Sequence, residues 1–192
     1  MTEPQRQQRK RPRGPRTLSL ARIENIARFH IERFATTSTH LRRVLARRAE
    51  RARRIHGGDS TQVSAWINEV VDRLVRLGLI NDEQYAKDKV ASLRRLGRGP
   101  GRIGALLAAK GVPRTTIARA LAEAAEGAAG EDASLPAALA YVKRRRFGVF
   151  GKTAGDKLER ARKYTRELAA MGRAGFSYAV ARRALSDKPE RD

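Results

Sequence analysis

One helical signature, repeated, governs what this chain can become. Apolar residues recur three and four positions apart, the period of one face of an α-helix, in three successive groups of three segments. In the middle group the stripes are Tyr85, Ala86, Val90, Leu93 and Leu96, then Ile103, Leu106 and Leu107, then Ile117 and Leu121. Asn81 or Asp82 is a good N-cap for the first of these helices. Gly111 closes the second as a left-handed C′ residue, and Pro113 suits the first turn of the third. A group of three short helices buries little alone, so packing within and between groups must supply the stability. No segment alternates with a period of two, so no sheet is expected.

The flanking groups repeat this plan. Before it, Ile23, Ile26, Ala27, His30 and Phe34 share a face. Leu41, Val44, Leu45 and Ile55 lie on an arginine-rich second helix with Ser38 or Thr39 as its cap, and Ile67, Val70, Val71 and Leu74 on a third from about Gln62 to Leu77. Trp66 beside that last stripe is expected to pack. After the middle group come Leu135, Leu139 and Val142, then Leu158, Ala161, Leu168 and Met171, then Val180, Ala181 and Leu185.

Leu41 and Leu45 match Ile103 and Leu107. The L-A-A of 107–109 and of 168–170 each stands two residues before a glycine, Gly111 or Gly172. An x-R-A-L follows at 118–121 and 182–185, with a slip of a few residues in the loop between. The expected fold class is therefore all-α: an elongated, curved array of three tandem three-helix repeats over 17–79, 80–127 and 128–187. A disordered basic arm at 1–16 and a polar tail at 188–192 flank it. In the first repeat the loop between helices two and three is expected to be the longer one.

Charge narrows the partner. Forty-two Lys and Arg oppose 20 Asp and Glu, a formal +22, which resists compaction and favours a polyanion or an acidic surface. Three basic clusters recur with the repeats: Arg42, Arg43, Arg47 and Arg48; Arg94, Arg95, Arg98 and Arg102, with Lys110; and Lys143, Arg144, Arg145 and Arg146. A single basic helical run is ordinarily a solvated face, but three in step with the fold read as an electrostatic footprint. No aromatics interleave with them, which disfavours a single-strand stacking platform.

Most catalytic chemistry is excluded. There is no cysteine, hence no disulfide, thiolate site or Cys nucleophile, as suits a reducing cytoplasm. No apolar run approaches the roughly 20 residues of a membrane span, and the opening residues carry no apolar core of a secretory signal. G-P-G-R-I-G at 99–104 satisfies G-x-G-x-x-G, but a dinucleotide loop must follow a strand; here a basic helix precedes it, so these glycines are expected to turn the chain between helices. F-G-K-T at 150–153 lacks the first P-loop glycine, because residue 146 is Arg146. His30, His40 and His56 show no metal-ligand spacing. The reading is of a protein without catalytic residues, cofactor or metal.

G-L-I-N-D-E-Q-Y-A and the G-x-G-P-x-R-I-x-x-L-L-x-x-K-G-V run at 97–112 resemble the signature of the RecX family of recombination regulators. K-R-R-R-F-G at 143–148 and L-A-A-M-G-R-A-G-F-S-Y-A-V-A-R-R-A-L at 168–185 are similar to its C-terminal repeat. The first repeat departs from that pattern in its arginine density. The resemblance implies a small cytoplasmic protein, expected to be monomeric, that lies in the groove of the RecA recombinase filament and restrains its ATPase, strand-exchange and co-protease activities. The basic clusters would then contact acidic filament surface, DNA phosphates independently of sequence, or both. The alternative is an architectural DNA-binding protein acting without recombinase. A nucleotide-hydrolysing enzyme rests only on the two incomplete glycine motifs.

Overall fold

The computed structural model describes residues 17–126, 133–151 and 155–186; the expected arm at 1–16 and the tail at 188–192 lie outside them. Nine α-helices and no strand occur among these residues. They are α1 (Leu20–Ile31), α2 (Ser38–His56), α3 (Ser60–Arg76), α4 (Asp82–Arg95), α5 (Pro100–Ala109), α6 (Arg114–Glu123), α7 (Leu135–Arg145), α8 (Lys157–Arg173) and α9 (Tyr178–Ser186). The chain divides into two compact units, Met1–Ile80 and Asn81–Asp192. The first contains α1–α3; the second contains the two groups α4–α6 and α7–α9.

Each group of three has its own core. In the first unit Ile23 and Ala27 of α1 meet Leu41 and Leu45 of α2 and Ile67, Val70, Val71 and Leu74 of α3, with Trp66 packed on the margin. Phe34 and Ile55 do not join that core. Helix α1 ends at Ile31, so Phe34 leaves the helical register and is 58% exposed, its ring 5.2 Å from His30. Ile55 is exposed at the far end of α2. Thr37, one residue earlier than expected, caps α2 by accepting from the His40 N–H, and Asp59 caps α3 through Thr61.

In the second unit Ala86, Val90, Ile103, Leu107, Val112, Ile117 and Ala120 form one core. Ala138, Tyr141, Val142, Met171, Phe176, Val180, Ala181, Ala184 and Leu185 form the other. Asn81 caps α4 as anticipated, accepting from Glu83 and Gln84, and Gly111 has φ +83° at the end of α5. Leu96, Leu106 and Leu158, placed on apolar stripes by their spacing, are exposed.

The buried positions fix the repeat register. Ile103, Leu107, Val112, Ile117 and Ala120 stand 64 positions before Glu167, Met171, Phe176, Ala181 and Ala184, and every member of both sets is buried. There is no slip in the loop: the counterpart of Gly111 is Gly175 (φ +92°), whereas Gly172 lies inside α8. The L-A-A similarity is thus three residues out of register. The other offsets locate two expansions. Ala86 and Val90 precede Ala138 and Val142 by only 52, so twelve extra residues enter between Val142 and Glu167, widening the α7–α8 connection and lengthening α8 to 17 residues against 10 in α5.

The second expansion lies in the first unit. Leu41 and Leu45 precede Ile103 and Leu107 by 62, but Ile67 and Val70 precede Ile117 and Ala120 by 50. These residues were expected in a loop. They lengthen helices instead: α2 has 19 residues and α3 has 17, against 10 each in α5 and α6. The connection at 57–59 remains short.

A basic surface and a backbone interlock

Within the second unit the two three-helix groups meet through main chain. The α5 N-terminus presents N–H groups that have no partner inside the helix. Gly99 donates to the Ala174 carbonyl at 2.9 Å and Gly101 to the Gly175 carbonyl at 3.1 Å. The carbonyls of the α8 end therefore cap the α5 start, positive helix pole to negative. The approach leaves no room for a side chain: a Cβ on Gly99 would overlap the Gly175 carbonyl and lie 2.6 Å from the Phe176 nitrogen. The left-handed turn expected of the glycines at 99–104 is made instead by Gly97 (φ +66°); Gly101 and Gly104 lie within α5, and Gly99 has an ordinary φ of −75° and is a contact residue. With its N–H groups occupied by protein, this end of α5 is no phosphate cradle.

The same contact region organises the arginines. Arg94, expected at the binding surface, turns inward and donates to the carbonyls of Ala124 and Ala133, the latter at 2.7 Å. It thereby links the end of α6 to the residues just before α7, beside a cavity of about 200 Å³ whose lining includes Arg98, Ile103 and Leu121. Arg144 crosses from α7 to donate to the Leu96 carbonyl at 2.9 Å, and its guanidinium stands 5.6 Å from the Tyr141 ring. That bond brings the central and C-terminal clusters together. Arg95, Arg98, Arg102, Lys143, Arg145 and Arg146 are all exposed there. Arg145 is held over Phe147 at 5.5 Å, and Arg146 ends α7 in the left-handed conformation, φ 55°. Lys110 is also exposed, at the end of α5.

The α7–α8 connection has an internal anchor that sequence reading missed. Glu167 is 5% exposed at the position where the middle group has Ile103; it accepts from the Gly148 N–H at 2.9 Å, with Lys163 at 3.8 Å. The register to Ile103 is the signal that would have found it. Of the F-G-K-T segment, Lys152 and Thr153 lie outside the described residues.

In the first unit Arg42 forms an ion pair with Asp72 at 2.5 Å, joining α2 to α3. Arg43, Arg47 and Arg48 are exposed. Arg51 and Arg54, not singled out in the sequence, are exposed on the same helix. Glu50 accepts from Arg53 at 2.9 Å and from Arg54 at 3.1 Å, and those hydrogen bonds hold its carboxyl down to about 2. His30 and His40 approach to 6.4 Å between ring centroids, but among the described residues no three His, Cys, Asp or Glu side chains cluster as a metal site. No described helix is long and apolar enough to cross a membrane.

Fold and surface together define an all-helical protein of tandem three-helix groups displaying clustered, exposed arginine. Residues 81–121 match the second three-helix domain of RecX. The chain is 37% identical over 186 residues to the Regulatory protein RecX of Myxococcus xanthus (strain DK1622), covering 97% of this chain and 96% of that one. The Agrobacterium fabrum (strain C58) Regulatory protein RecX is 28% identical over 171 residues, 89% and 84% of the two chains. The crystal structure of RecX from Lactobacillus salivarius shares the fold at TM-score 0.62 and 18% identity, over 86% of this chain and 94% of that one. A second RecX crystal structure does so at TM-score 0.58 and 17% identity, over 85% and 70%. The chain belongs to the RecX family of regulatory proteins.

Proposed function

We propose that this protein is a non-catalytic, cytoplasmic regulator of the RecA recombinase, which binds RecA–DNA filaments and restrains their ATP turnover, strand exchange and co-protease activity. The observation that carries the reading is the match to a curated RecX along nearly the full length of both chains. The filament contact is assigned to the exposed basic surface of the second unit, from Arg95, Arg98 and Arg102 to Lys143, Arg145 and Arg146. Arginine forks suit both carboxylate and phosphate, so an acidic filament surface and DNA backbone are both chemically matched. The protein acts as a monomer. The test is ATP hydrolysis by a DNA-activated RecA filament with substoichiometric protein added. A fall in rate is expected; unchanged rate and filament length would overturn the reading. A second reading, sequence-independent DNA binding without recombinase, is favoured by the +22 charge.

A further inference from the structure

The lengthened hairpin of the first unit has no counterpart in the other two groups. Helix α2 carries seven arginines and one acid, Glu50, in 19 residues. At 100° per residue, Arg43, Arg47, Arg51 and Arg54 fall on one face, opposite the buried Leu41, Leu45, Ala49 and Ala52. Like charges one turn apart destabilise a helix by a few tenths of a kcal/mol per pair, so nothing in folding asks for this stripe. Dipole compensation accounts for cations in the last turn, Arg53 and Arg54, but not for Arg47 and Arg51 farther back. Among the described residues Arg47 and Arg51 have no hydrogen-bond or ion-pair partner. They line a shallow depression of about 520 Å³ with Ala46, Glu50 and Arg54.

We propose that this stripe is a second, separate polyanion site that binds the sugar-phosphate backbone of duplex nucleic acid. Neighbouring arginines of the stripe rise about 6 Å along the axis, a straight row of cations for a backbone that carries a charge every few ångströms. An acidic protein partner fits less well, since protein interfaces surround such arginines with apolar and aromatic anchors, and the depression offers only the Ala46 methyl. A lipid surface is excluded because the apolar face of α2 is already used by the core of its own unit. Glu50 is the internal competitor: it occupies the Nε of Arg54 that a phosphate oxygen would otherwise take.

The test is fluorescence anisotropy of the full chain with a labelled 20-bp duplex, without recombinase, across a salt series. Each lost phosphate contact lowers the slope of log K against log salt by about 0.9. The double variant Arg47→Gln, Arg51→Gln should lose about 1.8 in slope, or about 60-fold in affinity at 0.1 M salt. Arg42→Gln, whose guanidinium is held by Asp72, should change the slope by less than half of one contact, and Glu50→Gln should tighten binding. An unchanged slope in the double variant, with far-UV circular dichroism intact, overturns the proposal. Poly-glutamate competing as well as duplex, with the same dependence on Arg47 and Arg51, overturns the nucleic-acid assignment. Since no recombinase is present, failure here leaves the filament reading standing, and failure of the filament assay leaves this one.

Discussion

The three glycines of G-P-G-R-I-G separate a nucleotide loop, a hinge and an interlock by stability alone. Gly99→Ala places a Cβ on the Gly175 carbonyl, backbone that no rotamer change can move aside. Relieving the clash strains or breaks the two inter-helix bonds at 2.9 and 3.1 Å. At roughly 1 kcal/mol per bond and 1–3 kcal/mol for overpacking, the expected loss is about 3–5 kcal/mol. Gly101→Ala meets the Gly175 oxygen at 3.3 Å, a tight fit that roughly offsets the helix propensity gained, so its net change should lie within about 1 kcal/mol. Gly104→Ala meets only the Ile117 Cγ2 at 3.6 Å and should stabilise by about 0.5–1 kcal/mol. Urea unfolding followed by circular dichroism measures all three on one axis. Because Gly99 joins two groups, its variant should also split the second unit's transition and lower the apparent m-value. A Gly99→Ala protein as stable as Gly104→Ala would refute the interlock. Equal, small losses at all three would instead fit a hinge.

Other side chains make independent predictions. Arg94→Gln should cost about 1–3 kcal/mol in the same unfolding assay, because the Ala124 and Ala133 carbonyls lose their donor. Arg95→Glu with Arg98→Glu, both exposed, should instead reduce inhibition of the RecA ATPase at unchanged helical content; loss of ellipticity would make them structural. Leu107→Asp, 2% exposed among apolar neighbours, should unfold the central group, seen as lost far-UV signal, since a buried carboxylate there has no partner. Glu167→Leu should cost about 1–3 kcal/mol by orphaning the Gly148 N–H and speed proteolysis after Arg146; unchanged cleavage would remove its anchoring role. The Glu50 carboxyl is depressed from 4.5 to about 2 by its arginine partners. Its contribution to stability is thus complete above 4.5 and lost as pH falls through about 2. The melting difference between wild type and Glu50→Gln should shrink over that window, and a difference that persists at the acid end would refute the linkage.

What the sequence disclosed followed from how local each signal is. Helix existence, the caps at Asn81 and Gly111 and most core positions rest on residues within a turn of one another, and the apolar period makes them visible. Phe34 and Ile55 kept the period, but Phe34 lies beyond the end of α1 and Ile55 in the last turn of α2, and both are exposed. The direction of Arg94 depended on carbonyls 30 and 39 residues away. No spacing rule encodes that, and so a half-buried arginine looked like its exposed neighbours Arg95 and Arg98. The role of Gly99 was hidden for the same reason: its requirement is imposed by Gly175, on another helix end.

The register offsets tie these surprises together. The apolar core of each three-helix group is nearly interchangeable, so what distinguishes the groups must lie in what is added to it. In the first group the addition is helical and cationic, resting on Ala49, Ala52 and Val63, small residues that bury modest apolar area. In the third it is a wider α7–α8 connection and a longer α8, and a carboxylate at the Ile103 position holds the connection through the Gly148 N–H. Burying that carboxylate in place of an aliphatic side chain is unfavourable unless it is bonded, which argues that the connection is positioned for use. The middle group has neither addition. It contributes instead the glycines that let the third group approach at main-chain distance, and Arg144 of the third group then donates to the Leu96 carbonyl beside Arg95. Shortening α2 and α3 to the middle group's length should therefore leave the first unit's Leu41, Leu45 and Ile67 core able to fold, while removing Arg51, Arg53 and Arg54. Loss of folding in that variant would show that the hairpin extension supports the core rather than being carried by it.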